Sequence, residues 1–203
     1  MKFYNSIGPN PKMVRMFMAE KGIELPRVEV DLTKGENRQE AHLKRNPAGQ
    51  CPALELDDGS VIAEITAICE YLEEKQPNPP LIGRTPEERA ETRMWTRRLD
   101  LNLCEPMANG FRFGKGRKFF ESRIRVIPEA SEGLLATAQD WVKKLDGWLD
   151  GKQFICGDRF TMADILVFNW LDFFAGMGQA INPEFKNVVA WHARIAARPS
   201  AKA

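Results

Sequence analysis

Ala53-Leu54-Glu55-Leu56-Asp57-Asp58-Gly59-Ser60-Val61-Ile62-Ala63 is the stretch that decides the fold of the first half of the chain. Two short apolar runs flank Asp57-Asp58-Gly59-Ser60, a strong hairpin signal because aspartate and glycine tolerate the backbone conformations of a tight turn. Upstream, Lys2-Phe3-Tyr4 and the alternating Val28-Glu29-Val30-Asp31-Leu32 read as strands with a helix between them. That is a β-α-β unit, whose two strands run parallel. The helix is expected to have Asn10 as N-cap, Pro11 at its first position, an apolar stripe of Val14, Phe17 and Met18, and Gly22 as its stop. Downstream of the hairpin a further helix carries Ile68, Cys69 and Leu72 on one face.

The order β-α-β, a short irregular or helical segment, then β-β-α is that of a thioredoxin-like domain, placed at residues 1–76. Gln76-Pro77-Asn78-Pro79-Pro80 cannot continue a helix, since proline lacks the amide donor and clashes with the preceding turn, so residues 77–85 read as a linker. Residues 86–203 read as an all-helical domain. It opens at Thr85-Pro86-Glu87-Glu88, a capping box with proline at the first helical position. A helix through Leu134, Leu135, Ala138, Trp141, Val142, Leu145, Trp148 and Leu149 stops at Gly151. In Phe160-Thr161-Met162-Ala163-Asp164-Ile165 a second capping box starts a helix that is apolar nearly all round and therefore buried. The fold class is thus an α/β thioredoxin-like N-terminal domain plus an all-α helical C-terminal domain.

Composition narrows the function. With 203 residues, 43% hydrophobic residues and a formal net charge of +1, nothing global draws the chain to nucleic acid or to an anionic membrane. No apolar run approaches the ~18 residues of a membrane span, and Met1-Lys2-Phe3-Tyr4-Asn5 lacks the apolar stretch of a signal peptide, so a soluble cytoplasmic protein is expected. Cys51, Cys69, Cys104 and Cys156 stand too far apart for a zinc site or a C-x-x-C pair, so no metal is expected, and three of the four read as core residues.

Three motifs carry a family resemblance. Asn46-Pro47-Ala48-Gly49-Gln50-Cys51-Pro52-Ala53-Leu54 resembles the segment leading to a cis-proline before the third strand in the cytosolic glutathione transferase superfamily. Glu64-Ile65-Thr66-Ala67-Ile68-Cys69-Glu70-Tyr71-Leu72 is similar to that family's helix start, and Gly157-Asp158-Arg159-Phe160-Thr161-Met162-Ala163-Asp164 to the buried capping motif of its helical domain. The resemblance spans essentially the whole chain and is of the bacterial, serine-like type. It implies glutathione as co-substrate, a small hydrophobic electrophile as second substrate, a cytoplasmic homodimer and a role in detoxification; a non-catalytic glutathione- or hydrophobe-binding protein or an interaction module on the same fold is the alternative.

Glutathione is an extended tripeptide with charged ends and a central thiol, so its site needs an edge of free backbone groups and charge partners. The resemblance assigns Cys51, before a cis Pro52, to the cysteinyl unit, with Gln50 as a further contact. Glu64 would take the γ-glutamyl ammonium, and the amides of Ile65 and Thr66 its carboxylate; the plain structural alternative for Glu64 is an acid complementing a helix dipole. Where serine-type members carry serine this chain has Gly8, and Ile65 stands where a second serine is usual. Three donors to the sulfur therefore compete: the Tyr4 hydroxyl, the Ser6 hydroxyl, and the Asn10 side-chain amide or nearby backbone N–H groups. Each has an ordinary structural use, as strand aromatic, turn residue and N-cap respectively. Cys51 reads either as a small strand residue or as a thiol able to form a mixed disulfide. Met107, Phe111 and Phe113 are candidates for an electrophile site between the Gly8 loop and the helical domain, with Arg112 for an acidic group, or else ordinary packing residues. Arg112, Lys115, Arg117, Lys118, Arg123 and Arg125 form a basic run that reads as a solvated face.

Overall fold

A computed structural model describes all 203 residues, which fall into two compact units, 1–84 with 198–203, and 85–197. In the first unit the elements are β1 (Lys2–Asn5), α1 (Pro9–Lys21), β2 (Arg27–Glu29), α2 (Glu40–Leu43), β3 (Ala53–Glu55), β4 (Val61–Ala63) and α3 (Ile65–Lys75). The four strands form one sheet in the order β2-β1-β3-β4. β1 and β2 are parallel, as the β-α-β reading requires, while β3 pairs antiparallel with both β1 and β4 across the expected hairpin. Strand alternation divides the sheet's side chains. Phe3 and Leu54, in register, are fully buried, and the apolar residues of α1 (Met13, Val14, Phe17) and α3 (Ile68, Cys69, Leu72) are buried with them. Tyr4, Val30 and Ala53 form a second cluster with Cys51 and Val61.

Three expectations are corrected here. α1 begins at Pro9 with Gly8 as its N-cap, so Asn10 lies inside the first turn and does not cap it. Two consecutive residue pairs, Gly8-Pro9 and Asn10-Pro11, carry the same cap-then-proline signature, and the chain uses the earlier one. β2 spans only Arg27–Glu29, shorter than the alternating run predicts: its last pairing partner is Asn5, where β1 itself ends, and the Val30 N–H makes the final bond to the Asn5 carbonyl. The expected linker is packed into the first unit. Leu81 and Ile82 are buried and their N–H groups donate to the Glu73 carboxylate. Glu73 is also ion-paired at 2.6 Å with Lys21, whose ammonium donates to the carbonyls of Gln76 and Pro79.

The last residues, 198–203, belong to the first unit and not to the helical one. Arg198 donates two 2.7 Å hydrogen bonds to the Glu20 carboxylate, and Ser200 donates a third. Burial works to raise the Glu20 pKa, but the Arg198 and Ser200 hydrogen bonds overcome it and hold the carboxyl below its ordinary value. A depressed carboxyl contributes stability that is present above its unfolded pKa and lost as pH falls through the folded one. The amides of residues 198–203 are therefore expected to show lower protection factors, measured against the intrinsic exchange rate at each pH, at about pH 3 than at neutrality, ahead of the sheet. Equal protection at both pH values would show that Glu20 does not hold the segment.

The second unit is helical: α4 (Pro86–Leu99), α5 (Glu105–Phe113), α6 (Arg117–Phe120), α7 (Ser131–Trp148), α8 (Met162–Ala175) and α9 (Lys186–Ala196). A π-helical stretch, Asp100–Cys104, joins α4 to α5. It precedes Pro106, which can neither donate to nor closely approach the Asn102 carbonyl one turn back, so a widened turn relieves both conflicts. α5 and α7 approach closely at Gly110, where a Cβ would lie 2.6 Å from the Leu135 side chain, and Ser131 donates to the Gly110 carbonyl. α8 is buried along most of its length, as its all-round apolarity predicts, and starts with the expected Thr161–Asp164 capping box. Thr85 accepts the Glu88 amide at the start of α4. Cys69, Cys104 and Cys156 are buried and free. No helix is long and apolar enough to cross a membrane.

Candidate active site

The carboxyl end of β1, the start of α1, the loop into β3 and the start of α3 place the expected glutathione residues in the first unit. The Cys51-Pro52 peptide is cis. Cys51 stands one residue ahead of Pro52, which leads into β3, and its N–H and C=O carry no partner within the protein. Its thiol packs with the Tyr4 cluster, 3.9 Å from His42 Nε2, and burial pushes its pKa up to about 11. A thiol so raised is almost wholly protonated at neutral pH, which makes Cys51 itself a poor nucleophile.

Three buried polar side chains that the sequence reading did not single out hold the Gly49–Gln50 backbone ahead of this edge. Asn37 donates to the Gly49 carbonyl at 2.6 Å, and His42 Nε2 and Asn46 Nδ2 both donate to the Gln50 carbonyl, at 2.9 and 3.0 Å. The Gln50 side chain is left exposed. Arg38, at the rim, reaches the Ala48 carbonyl at 3.5 Å and brings the one exposed guanidinium of this loop beside Gly49. Nothing in residue type separates these four from ordinary loop polars. Only their bonds to a segment up to 12 residues onward mark them.

Glu64 precedes α3 with φ 68°, the only left-handed non-glycine residue in the chain. Left-handed backbone costs a side-chain-bearing residue of order 1–3 kcal/mol and concentrates at functional positions. The Glu64 side chain is exposed and does not cap the helix. The N–H groups of Ile65 and Thr66, in the first turn of α3, therefore point to solvent with no intrahelical partner. An exposed carboxylate beside two open amides can receive an ammonium and a carboxylate together, the pairing an amino-acid end group offers.

The three candidate sulfur donors have different fates. Tyr4 Oη donates to Glu55 at 2.6 Å with the Arg45 guanidinium 4.6 Å above its ring, and burial, then that hydrogen bond, push the phenol's pKa up. Glu55 is the far end of β3 from Cys51, so this hydroxyl is directed away from the cis peptide. Ser6 Oγ donates to the Val30 carbonyl at 2.6 Å. Asn10 alone has an unpaired group: its Oδ1 is enclosed and has no hydrogen-bond partner. Gly8 adopts φ 113°, a conformation that side-chain-bearing residues rarely adopt.

Among the electrophile candidates, Met107 is fully buried and belongs to the core of the second unit, so it is corrected to a packing residue. Phe111 and Phe113 are half-buried; Phe111 meets Phe120 and Phe174 edge-on, at 6.3 and 5.6 Å. Arg112 bonds Asn109 at 3.0 Å and lies over Phe120. In the basic run Lys115, Arg117, Lys118 and Arg125 are exposed, with Arg117 paired to Glu121.

A cis-proline ahead of β3 in a four-stranded unit, followed by an all-helical unit with a buried capping box, is the architecture of a glutathione transferase. Residues 7–75 match the family model of the glutathione S-transferase N-terminal domain and residues 129–199 that of the C-terminal domain. The chain belongs to the glutathione S-transferase family. It is 33% identical to glutathione S-transferase 2 of Saccharomyces cerevisiae over 96% of this chain and 84% of that one. The solved structure of Gtt2 from Saccharomyces cerevisiae superposes with a TM-score of 0.93 at 34% identity, covering 100% of this chain and 99% of that one. LigF of Sphingobium sp., whose structure is titled a beta-etherase, is 32% identical over 100% of this chain and 91% of its own, and superposes with a TM-score of 0.85 over 99% of this chain and 96% of that one.

Proposed function

We propose that this protein conjugates the glutathione thiolate to small hydrophobic electrophiles, acting as a cytoplasmic homodimer in detoxification. The observation that supports this most is the set of unsatisfied polar groups in the first unit: the Cys51 N–H and C=O, the Ile65 and Thr66 amides, and the Glu64 carboxylate. They match in order the cysteinyl amide, the γ-glutamyl carboxylate and the γ-glutamyl ammonium of one tripeptide. Exposed Gln50 adds a side-chain contact, and Arg38 offers a cation to the glycyl carboxylate. Pro52 fixes the end of the edge, and Gly8 opens the loop where the sulfur is received. Phe111 and Phe113 are proposed to contribute apolar surface to the electrophile, and no metal takes part.

Activation of the thiol is electrostatic. At its reference pKa of ~8.5 only a few per cent of a free thiol is ionised at neutral pH, and a drop of ~2 units needs about 2.7 kcal/mol of preference for the anion. The amino end of α1 supplies part of this through its dipole.

The first test is uptake of glutathione by calorimetry together with conjugation of a generic aromatic halide. Glu64→Ala is expected to weaken glutathione binding by ~1–3 kcal/mol, the value of a charge-assisted hydrogen bond, with the fold intact. Unchanged affinity in the folded variant removes Glu64 from the site. Binding without turnover would favour the non-catalytic reading.

A further inference from the structure

We propose that Asn10 is the side chain that hydrogen-bonds and stabilises the glutathione thiolate, an assignment that rests on the transferase reading. The first turn of α1 is stripped of donors. Pro9 and Pro11 have no N–H, the Lys12 N–H is already bonded to the Gly8 carbonyl at 3.3 Å, and the cap residue Gly8 has no side chain. That leaves Asn10 as the one residue within Pro9–Lys12 with a free backbone N–H, and the same residue carries a carboxamide.

That carboxamide is held by nothing. Its Oδ1 is enclosed without a partner, so no side-chain hydrogen bond fixes which way the carboxamide faces, and its NH2 is left to donate to an arriving anion. A half-turn about the last side-chain bond exchanges oxygen for NH2 in nearly the same volume, so one side chain can meet a thiol as acceptor and a thiolate as donor. The two competing hydroxyls are each committed, Tyr4 to Glu55 and Ser6 to Val30, at 2.6 Å in both cases. Asn10 neither gains nor loses a proton. The thiol proton leaves to solvent, and the anion that remains receives Asn10 Nδ2–H and N–H together with the positive end of the helix.

The test is a pH titration of the thiolate absorbance of bound glutathione, with kcat/KM measured across the same range. In Asn10→Ala the apparent thiol pKa is expected to rise by about one unit, kcat/KM at neutral pH to fall about tenfold, and the deficit to close as pH is raised, with glutathione affinity changed less than threefold. Asn10→Asp, which places a carboxylate beside the sulfur, should shift the pKa further in the same direction. Tyr4→Phe should leave the titration where it is. A pKa and kcat/KM within twofold of the parent in both Asn10 variants would overturn the assignment while leaving the transferase reading intact. A parent protein that takes up no glutathione would overturn both.

Discussion

Replacing Lys21 by methionine is expected to destabilise the protein by about 3–5 kcal/mol, the usual consequence of removing one partner from a buried ion pair. Lys21 and Glu73 side chains are 0% and 1% exposed, and their 2.6 Å contact is the centre of a closed polar network. The Lys21 ammonium also satisfies the Gln76 and Pro79 carbonyls, Gln76 Nε2 donates back to the Lys21 carbonyl, and Glu73 receives the Leu81 and Ile82 amides. Methionine fills much the same space, but it leaves a carboxylate and two carbonyls without their cation. Denaturant unfolding should show the midpoint falling at unchanged slope. Adding Glu73→Leu is expected to recover less than the full loss, because the Leu81 and Ile82 amides then lose their acceptor. A Lys21→Met protein within about 1 kcal/mol of the parent would mean that the network is solvated and the segment 77–84 loosely held.

The second large effect is expected at Asp164, which is fully buried at the start of α8. Its Oδ1 accepts from the Ile155 N–H and the Trp191 indole at 2.9 Å, and its Oδ2 from the Thr161 N–H at 2.9 Å and the Thr161 hydroxyl at 3.1 Å. One carboxylate therefore fixes the turn before α8, the capping residue and α9. Asp164→Ala strands the Ile155, Thr161 and Trp191 N–H donors in the core, while the Thr161 hydroxyl keeps the Cys156 sulfur as acceptor, and since each buried orphan costs about 1–3 kcal/mol without strict additivity, a loss of at least about 3 kcal/mol is expected. Asp164→Asn should lose less, keeping one acceptor while turning a donor toward others. Thermal unfolding of the three proteins, compared with near-ultraviolet circular dichroism of Trp191, measures this. Equal stability of Asp164→Ala would show that water replaces the carboxylate.

These two networks mark the boundary of what the residues disclose before folding. The Asp164 box was legible because both partners lie within one turn, at a spacing with a mechanical meaning. The hairpin, the parallel β1–β2 pair and the buried α8 were legible for the same reason, since each depends on local period and turn chemistry. Lys21 was not, because a lysine in the last turn of an amphipathic helix ordinarily faces solvent, and its partner stands 52 positions away. The start of α1 lies two residues ahead of where Asn10-Pro11 would put it, because two prolines compete for one helical position and only the positive-φ Gly8 backbone decides between them. The candidate site divides likewise. Cys51, Pro52, Glu64 and the α3 amides enter as candidates through the motifs that carry the family resemblance, whereas the choice proposed among Tyr4, Ser6 and Asn10 depends on the partners of two hydroxyls, set by sheet register 51 and 24 residues away. Asn37, His42 and Asn46 became visible only through the backbone they hold.

The central claim is that the first unit presents one polar edge complementary to a whole tripeptide. A crystal structure of the parent protein grown with glutathione tests it directly: the cysteinyl unit is expected to pair with the Cys51 backbone, the γ-glutamyl end to rest on Glu64, Ile65 and Thr66, and the sulfur to lie about 3 Å from Asn10. Glutathione bound elsewhere, or an edge left empty at millimolar ligand, would contradict it.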